Sequence, residues 1–421
     1  MVSNGSAGRE GAAALVVGSG GREHALAVAL AASPVVGHVA FAGGPNPGLE
    51  AMAERIAPDA VEAEAGRFDL VVIGPEAPLA DGLADRLRAA GRAVFGPSRE
   101  AARLEASKAF TKEIAAAAGV PTARAIVAGS LAEGLSAVRR MGAPVVVKAD
   151  GLAAGKGVVV ADTLAEAERA VSECFGGAFG EAGSRVVVEE RLEGPEVSLF
   201  ALADGATVRL FGTARDYKRA FDGDRGPNTG GMGAVAPAPG FDEAAAEAAM
   251  AAIVRPTVAE LSRRGIPYVG ALYAGLMLTR EGPKLIEYNV RFGDPECQVL
   301  FPRLASDAYA LLHATATGGL ASAPLELRPG ASVGVVVAAR GYPGPVEKGE
   351  AIGGLEAIEA AGARVYHAGT RREADGVVSN GGRVLTLVAD GASVAQARAG
   401  VYAAAAHLRW PGGRMRSDIA A

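Results

Sequence analysis

The sequence predicts a mixed α/β and α+β protein, with an N-terminal doubly wound parallel sheet and a small β-rich unit toward the C-terminal side. Three observations carry this. The first hundred residues alternate apolar strands with helices, the pattern of a parallel sheet with crossover helices. Two apolar runs, 145–148 and 157–161, flank a glycine-rich loop. From residue 196 to about 325 the strands follow one another closely and read as antiparallel.

The elements follow in order. "AALVVG" (13–18) is a buried strand by its β-branched run, followed by a helix "REHALAVALAAS" and a strand "HVAFAG". Next come "FDLVVIG" (68–74), a helix "PLADGLADRLRAAG" and the strand "RAVFG". "REAARLEASKAFTKEIAAAAG" (99–119) reads as one long helix, ended by Gly119 and Pro121. A small α+β unit then holds the strands "ARAIVAG", 145–148, 157–161 and "SRVVVEERLEG", with helices at 132–142 and "LAEAERAVSECFG". The strands "EVSLFALAD", "TVRLFGTA", "ALYAGLMLT" and "PKLIEYNVRF" follow, with helices at 241–264 and 305–317. The tail adds "SVGVVVAA", "RVYHAG", "RVLTLVAD" and a helix "SVAQARAGVYAAAAHL". The expected units are 12–119, 120–195, 196–328 and 329–421.

Composition narrows the function. The 421 residues carry a net charge of −5, with Lys and Arg spread along the chain. No basic stripe points to nucleic acid. The two cysteines, Cys174 and Cys297, lack metal or disulfide spacing and fit a reducing cytosol. No apolar run approaches the ~20 residues of a membrane span. The start "MVSNGSAGREG" lacks the basic and apolar pattern of a signal peptide. The expectation is a cytoplasmic enzyme without membrane or nucleic-acid partners, monomeric, with a dimer as the alternative.

The loop "KADGLAAGKGVVVAD" is a near-miss to a phosphate-binding P-loop. Gly157 stands where that motif has Ser or Thr for magnesium, and a strand follows where the motif has a helix. The loop therefore reads as a hairpin tip. Gly151, Gly155 and Gly157 permit close backbone approach to an anion, and Lys148 at the strand end adds its charge. In the later strand "KLIEYNVRF", period-two alternation puts Glu287, Asn289 and Arg291 on one face, with Ile286, Tyr288 and Val290 on the other. Two oxygen ligands beside a cation suit magnesium bridging ATP phosphates. In "VVVEERLEGPEVS", Glu189, Glu190 and Leu192 fall in a hinge whose backbone meets adenine, and Glu196 can accept ribose hydroxyls. A salt-bridged surface strand explains the two glutamates equally well.

At this point the motifs carry a resemblance. "GSGGREHALA", "IGPEAPLADG", "KADGLAAGKGV", "DGDRGPNTGGMGA", "LYAGLM" and "EYNVRFGDPECQ" resemble, in order and over nearly the whole chain, the phosphoribosylamine–glycine ligase family of the ATP-grasp superfamily. "ARGYPG" and "RSDIA" in the tail are similar to it too. The resemblance implies an ATP-grasp fold and ATP-dependent amide formation between glycine and 5-phosphoribosylamine through glycyl phosphate, in purine biosynthesis. It implies Lys108 and Lys148 as phosphate contacts, residues 151–157 as a lid, and Glu287 and Asn289 as magnesium ligands, manganese being an alternative. Arg291 becomes the candidate for glycine's carboxylate and the developing acyl phosphate, with Lys148 as its catalytic partner. The strand 271–279 lacks the second metal-binding acid found in many ATP-grasp enzymes.

Two further segments belong to this picture. In the long loop 215–234, Asp216, Lys218 and Asp224 are candidate contacts for glycine or ribosylamine. Gly20, Gly21 and Arg22, at a strand–helix turn, can bind the substrate's 5-phosphate, and Glu76 follows a neighbouring strand. Ordinary tight strand–helix turns are the alternative for both. A dinucleotide site fails, because Glu23 stands at the third fingerprint glycine and the next strand ends without the ribose-reading acid. Two rival functions are a related carboxylase or formyl transferase and a non-catalytic nucleotide-binding module. The first is disfavoured by "RFGDPE" and "GPNTGGMG", the second by an intact set of lysines, Glu287 and Asn289. The five histidines show no ligand spacing.

Overall fold

A computed structural model of the chain describes residues 11–151, 157–178 and 180–421. The first sheet has five parallel strands in the order Glu54–Ile56, Val36–Ala42, Ala12–Val17, Leu70–Ile73, Val94–Phe95. Strand order reverses between Ala12–Val17 and Leu70–Ile73. In open α/β sheets ligands bind beyond the strand ends at such a switch point. Gly20 and Glu76 follow those two ends.

The expected long helix is two helices, Arg99–Ala106 and Lys108–Ala118. Ser107 is extended (φ −139°, ψ 112°), and its hydroxyl caps the second helix by accepting from Phe110 N. The break has a use: it sets Lys108 at a helix start beside Asp150, which accepts from Ser107 Oγ and from Ala109 N at 3.0 Å each. "PLADGLADRLRAAG" likewise divides into Glu76–Ala80 and Leu83–Ala89, because Gly82 turns the chain in the left-handed region.

The small unit is an antiparallel sheet in the order Ala125–Ala128, Val186–Glu190, Val145–Ala149, Val158–Ala161. Val145–Ala149 pairs with Val158–Ala161, so the glycine-rich loop joins two hairpin strands as its sequence predicts. Val145, Val147, Val186 and Val188 pack with residues of the helices Leu131–Met141 and Leu164–Glu173. Alternation along the strands turns Lys148 and Glu189 to the opposite face.

The largest sheet has nine strands. Its path runs Gly282–Asn289, Val269–Thr279, Glu196–Asp204, Val208–Asp216, Gly233–Ala236, Ala331–Ala339, Arg383–Gly391, Arg364–His367, with Gly413–Arg414 beside Ala331–Ala339. The antiparallel reading of 196–325 holds for its strands. The 215–234 segment is more ordered than a loop: it folds as a hairpin, Arg219–Phe221 with Arg225–Asn228, and its end enters the sheet as Gly233–Ala236. One sheet thus runs from the 196–289 strands into the tail strands. The helix expected at 241–264 forms over Glu243–Arg263 with a widened turn at Met250–Val254. Just beyond Arg291, Phe292 is buried among the rings of Phe95, Phe200, Phe211 and Phe301. Such aromatic packing fixes the chain where the late strand ends. No helix among the described residues is long and apolar enough to cross a membrane.

Candidate functional site

Lys148 is 3% exposed and lies in the strand before the hairpin loop. Its Nζ sits 2.9 Å from Glu189 Oε2 and donates to Ile286 O at 3.1 Å. Glu189, also 3% exposed, comes from the neighbouring strand. Lys112 Nζ lies 3.2 Å from Glu189 Oε1 without hydrogen-bond alignment, and donates instead to Thr122 Oγ1 and Ala123 O. Lys108 Nζ donates to Gly151 O at 2.6 Å. Burial holds Lys108 and Lys112 below the usual lysine range, with Glu287 and Glu189 respectively opposing that shift. Lys112 and Lys148 therefore share a single buried carboxylate. Asp150 adds some opposing charge at Lys108, although Arg185 pairs with it at 2.6 Å.

Glu287 stands where these charges converge. Burial raises its pKa, but Lys218, Lys148, Lys108 and Arg291 outweigh burial and bring it below the usual value. Among the described residues its carboxylate accepts no hydrogen bond, so its oxygens are available. Asn289 lies two residues on, its Oδ1 accepting from Arg291 Nη2 at a long 3.3 Å. This ionised carboxylate and weakly held amide oxygen fit a hard divalent cation completed by phosphate and water oxygens. No group of three or more His, Cys, Asp or Glu with metal-holding geometry occurs among the described residues.

Lys218 pairs with Glu196 at 2.8 Å. Asp216 lies in the same wall, its Oδ1 buried and without a hydrogen-bond partner. Burial, followed by Glu296, pushes its pKa well above the carboxylate norm. Glu196, Ser198, Asp216, Lys218 and Tyr273 border a cavity of about 10 Å³, near the space of one water.

Arg291 is held from three sides. Its Nε meets Glu76 Oε2 at 2.9 Å, its Nη2 meets Glu105 Oε1 at 2.8 Å, and its Nη1 donates to Phe292 O. Glu105 Oε2 also accepts from Val290 N at 2.8 Å. Arg22 is buried nearby, with its Nε 2.6 Å from Glu23 Oε1 and its Nη1 donating to Phe292 O. Glu23 Oε2 accepts from Gly20 N at 2.7 Å. The helix start at Gly21 is thus capped by its own carboxylate. A phosphate at Gly20 and Gly21 competes with Glu23, and Arg22 is already paired.

Several expected contacts shift. Glu190 faces away from Glu189 and pairs with the exposed Arg124 at 2.6 Å, which favours the surface salt bridge for that residue. Leu192 is half-buried just past the strand end. Gly151 supplies the carbonyl that holds Lys108, and Gly157 O accepts from Ala149 N at the hairpin base. Gly155 lies outside the described residues. Asp224 pairs with Arg416 at 2.8 Å. Cys297 is buried, its thiol against Arg22 O. His24 and His367 are a buried pair.

Sequence reasoning missed Lys112, Asp150 and Glu105. Lys112 was within reach of it: four residues after Lys108, it shares that helix face. Asp150 stands inside "KADG", but its partner Arg185 is 35 positions away. Glu105 meets Arg291 across 186 positions, and no local pattern marks it.

Comparison with known proteins adds to this geometry. The phosphoribosylglycinamide synthetase family models match in sequence order: the N domain at residues 12–105, the ATP-grasp (A) domain at 106–297 and the C domain at 332–421. The phosphoribosylamine–glycine ligase of Mesorhizobium japonicum is 51% identical over 412 residues, covering 96% of this chain and 97% of the relative. That of Streptomyces coelicolor is 50% identical over 418 residues, covering 97% and 98%. The crystal structure of phosphoribosylamine–glycine ligase from Thermotoga maritima superposes with a TM-score of 0.84 at 34% identity, covering 97% of this chain and all of that one. A biotin carboxylase domain from Hydrogenobacter thermophilus shares the fold, with a TM-score of 0.72 at 18% identity.

Proposed function

The chain belongs to the phosphoribosylglycinamide synthetase family, and from this premise we propose how its residues carry ATP-dependent ligation of glycine to 5-phosphoribosylamine. A glycine carboxylate oxygen attacks the γ-phosphorus of ATP and ADP leaves. The ribosylamine nitrogen then attacks the glycyl carbonyl, the acyl–phosphate bond breaks, and the nitrogen loses a proton. The products are glycinamide ribonucleotide, ADP and phosphate. Most of the work is holding three substrates in line and cancelling charge.

The observation that carries this reading is the convergence of Lys108, Lys148, Lys218 and Arg291 on an ionised Glu287. Lys108 and Lys148 take the ATP phosphates, together with backbone groups of Gly151, Gly155 and Gly157. Glu189 holds Lys148 in place, and the chain from Glu190 to Leu192 meets adenine. Glu196 accepts the ribose hydroxyls once Lys218 turns toward substrate. A divalent metal, magnesium with manganese as the alternative, would be held by Glu287 and Asn289 and would supply positive charge to offset that of the transferred phosphoryl group. Arg291 and Asp216 face glycine and the acyl phosphate. Gly20, Gly21, Arg22 and Glu76 face the ribosylamine 5-phosphate, at the switch point of the first sheet. The enzyme works in the cytoplasm as a monomer, and the four units divide at 119, 195 and 328.

The test is ADP release with ATP, glycine and freshly made phosphoribosylamine, omitting each in turn. Release that needs glycine, with amide product that needs the amine, supports the reading. Equal ADP release without glycine overturns it.

A further inference from the structure

The segment Arg416–Ile419 has no part in the scheme above, yet its arginine is buried and held by four hydrogen bonds. Arg416 is 2% exposed. Its Nε and Nη2 meet the two oxygens of Asp418 at 2.7 and 2.8 Å, and its Nη1 donates to Asp224 Oδ1 at 2.8 Å and to Arg219 O at 3.0 Å. Neighbouring residues extend the grip. Asp418 Oδ2 accepts from Gly223 N at 2.7 Å, and Asp222 accepts from both the amide and the hydroxyl of Ser417. Ile419 is wholly buried and lies against Gly233, where a Cβ would come within 2.8 Å of Ile419 Cγ2. The segment therefore holds the hairpin 219–228 at its turn and the strand Gly233–Ala236 at its start.

Between those points lie the residues assigned to substrate. Arg219, whose carbonyl Arg416 holds, directly follows Lys218. Thr229 N donates to Lys218 O and Met232 N to Tyr217 O, each at 2.8 Å. Gly231 packs so closely on Asp216 that a Cβ would come within 2.7 Å of Asp216 Oδ1. Asp224 adopts φ +51°, a left-handed conformation that is uncommon outside glycine and persists when its surroundings fix it. Arg416 supplies that fixing contact. A lysine there would keep the charge but lose the two-pronged hold on Asp418.

We infer that Arg416 is a positioning residue for the ligation reaction: through Asp224, Asp418 and Arg219 it locks the 219–228 hairpin, and so holds in place the backbone that carries Lys218 and Asp216 into the glycine and ribosylamine side of the site. The inference rests on the roles proposed for Lys218 and Asp216. It is tested on the full chain by steady-state kinetics of Arg416→Ala, Arg416→Lys and Asp418→Asn, with Lys218→Ala as reference and ATP-analogue affinity measured by calorimetry. Arg416→Ala is expected to raise KM for glycine or phosphoribosylamine on the order of 10–100-fold, with ATP-analogue affinity near that of the parent. Arg416→Lys falls between the two, and should Arg416→Ala not fold, Arg416→Lys and Asp418→Asn decide by the same readout. A lowered melting temperature with both KM values unchanged overturns the inference. If Lys218→Ala raises KM and the Arg416 variants do not, only this inference falls. If Lys218→Ala changes neither KM, the role proposed for Lys218 falls and this inference with it.

Discussion

The lysine cluster beside the hairpin and the arginine cluster beside the first sheet differ in how much of their charge is cancelled. Lys112 and Lys148 share Glu189, Lys108 lies within ion-pair distance of no carboxylate among the described residues, and burial holds Lys108 and Lys112 below their usual range. Arg291 and Arg22 face Glu76, Glu105 and Glu23. The first cluster carries surplus positive charge in a poorly solvated place, which is unfavourable until an anion arrives. The second is complete without a ligand, and it ties the late strand to the N-terminal unit. Uncancelled charge marks where a phosphate is expected, and cancelled charge marks scaffold that substrates must displace or share.

Removing the cluster's innermost cation is the harshest way to break this contrast. Lys148→Ala and Glu287→Ala are each expected to lower kcat on the order of 10²–10³-fold, by losing charge stabilisation of the transferred phosphoryl group. Single-turnover ADP formation measures this, and near-normal turnover of Glu287→Ala at ordinary magnesium sinks its role as metal ligand. Glu189→Gln sharpens the contrast from the other direction. It leaves buried lysines uncancelled, at a cost of about 3 kcal/mol by analogy with broken buried pairs. Denaturant titration reads that loss, and ATP is expected to raise the melting temperature of Glu189→Gln more than that of the parent.

On the cancelled side, Glu76→Gln is expected to cost less, about 1–2 kcal/mol, because Glu105 still holds Arg291. ATP should protect parent and variant equally there. Unequal protection would mean that the two clusters act as one.

The smallest effect at neutral pH lies outside both clusters. His24 Nδ1 accepts from His367 N at 2.9 Å, and burial brings the two histidines down to about 3 and about 4 from 6.5. The folded chain then binds fewer protons than the unfolded one below pH 6.5, so stability falls as pH drops from 6.5 toward 4. His24→Gln should flatten that slope in thermal melts and change little at pH 7.

The legible and illegible parts of the site follow the same physical division. The hairpin, Lys148 and the Glu287–Asn289–Arg291 face were legible because each depends on local rules: strand alternation, and a glycine run followed by a strand. The parallel first sheet was legible from its alternation of strand and helix. The break at Ser107 was hidden inside a strongly helical pattern, since its cause is Asp150, 43 positions away. The side-chain partners of Glu190 and Asp224 were hidden for the same reason: Arg124 and Arg416 are 66 and 192 positions distant. Charge cancellation is a tertiary property, and a sequence names the charges without saying which of them meet.

The most direct test of the central claim, that ATP drives ligation by phosphorylating the glycine carboxylate, uses glycine labelled with ¹⁸O in its carboxylate. Turnover with ATP and phosphoribosylamine should move one labelled oxygen from glycine into the released phosphate, because that oxygen bridges carbon and phosphorus in glycyl phosphate. Unlabelled phosphate, formed alongside normal yields of ADP and amide, would contradict the account.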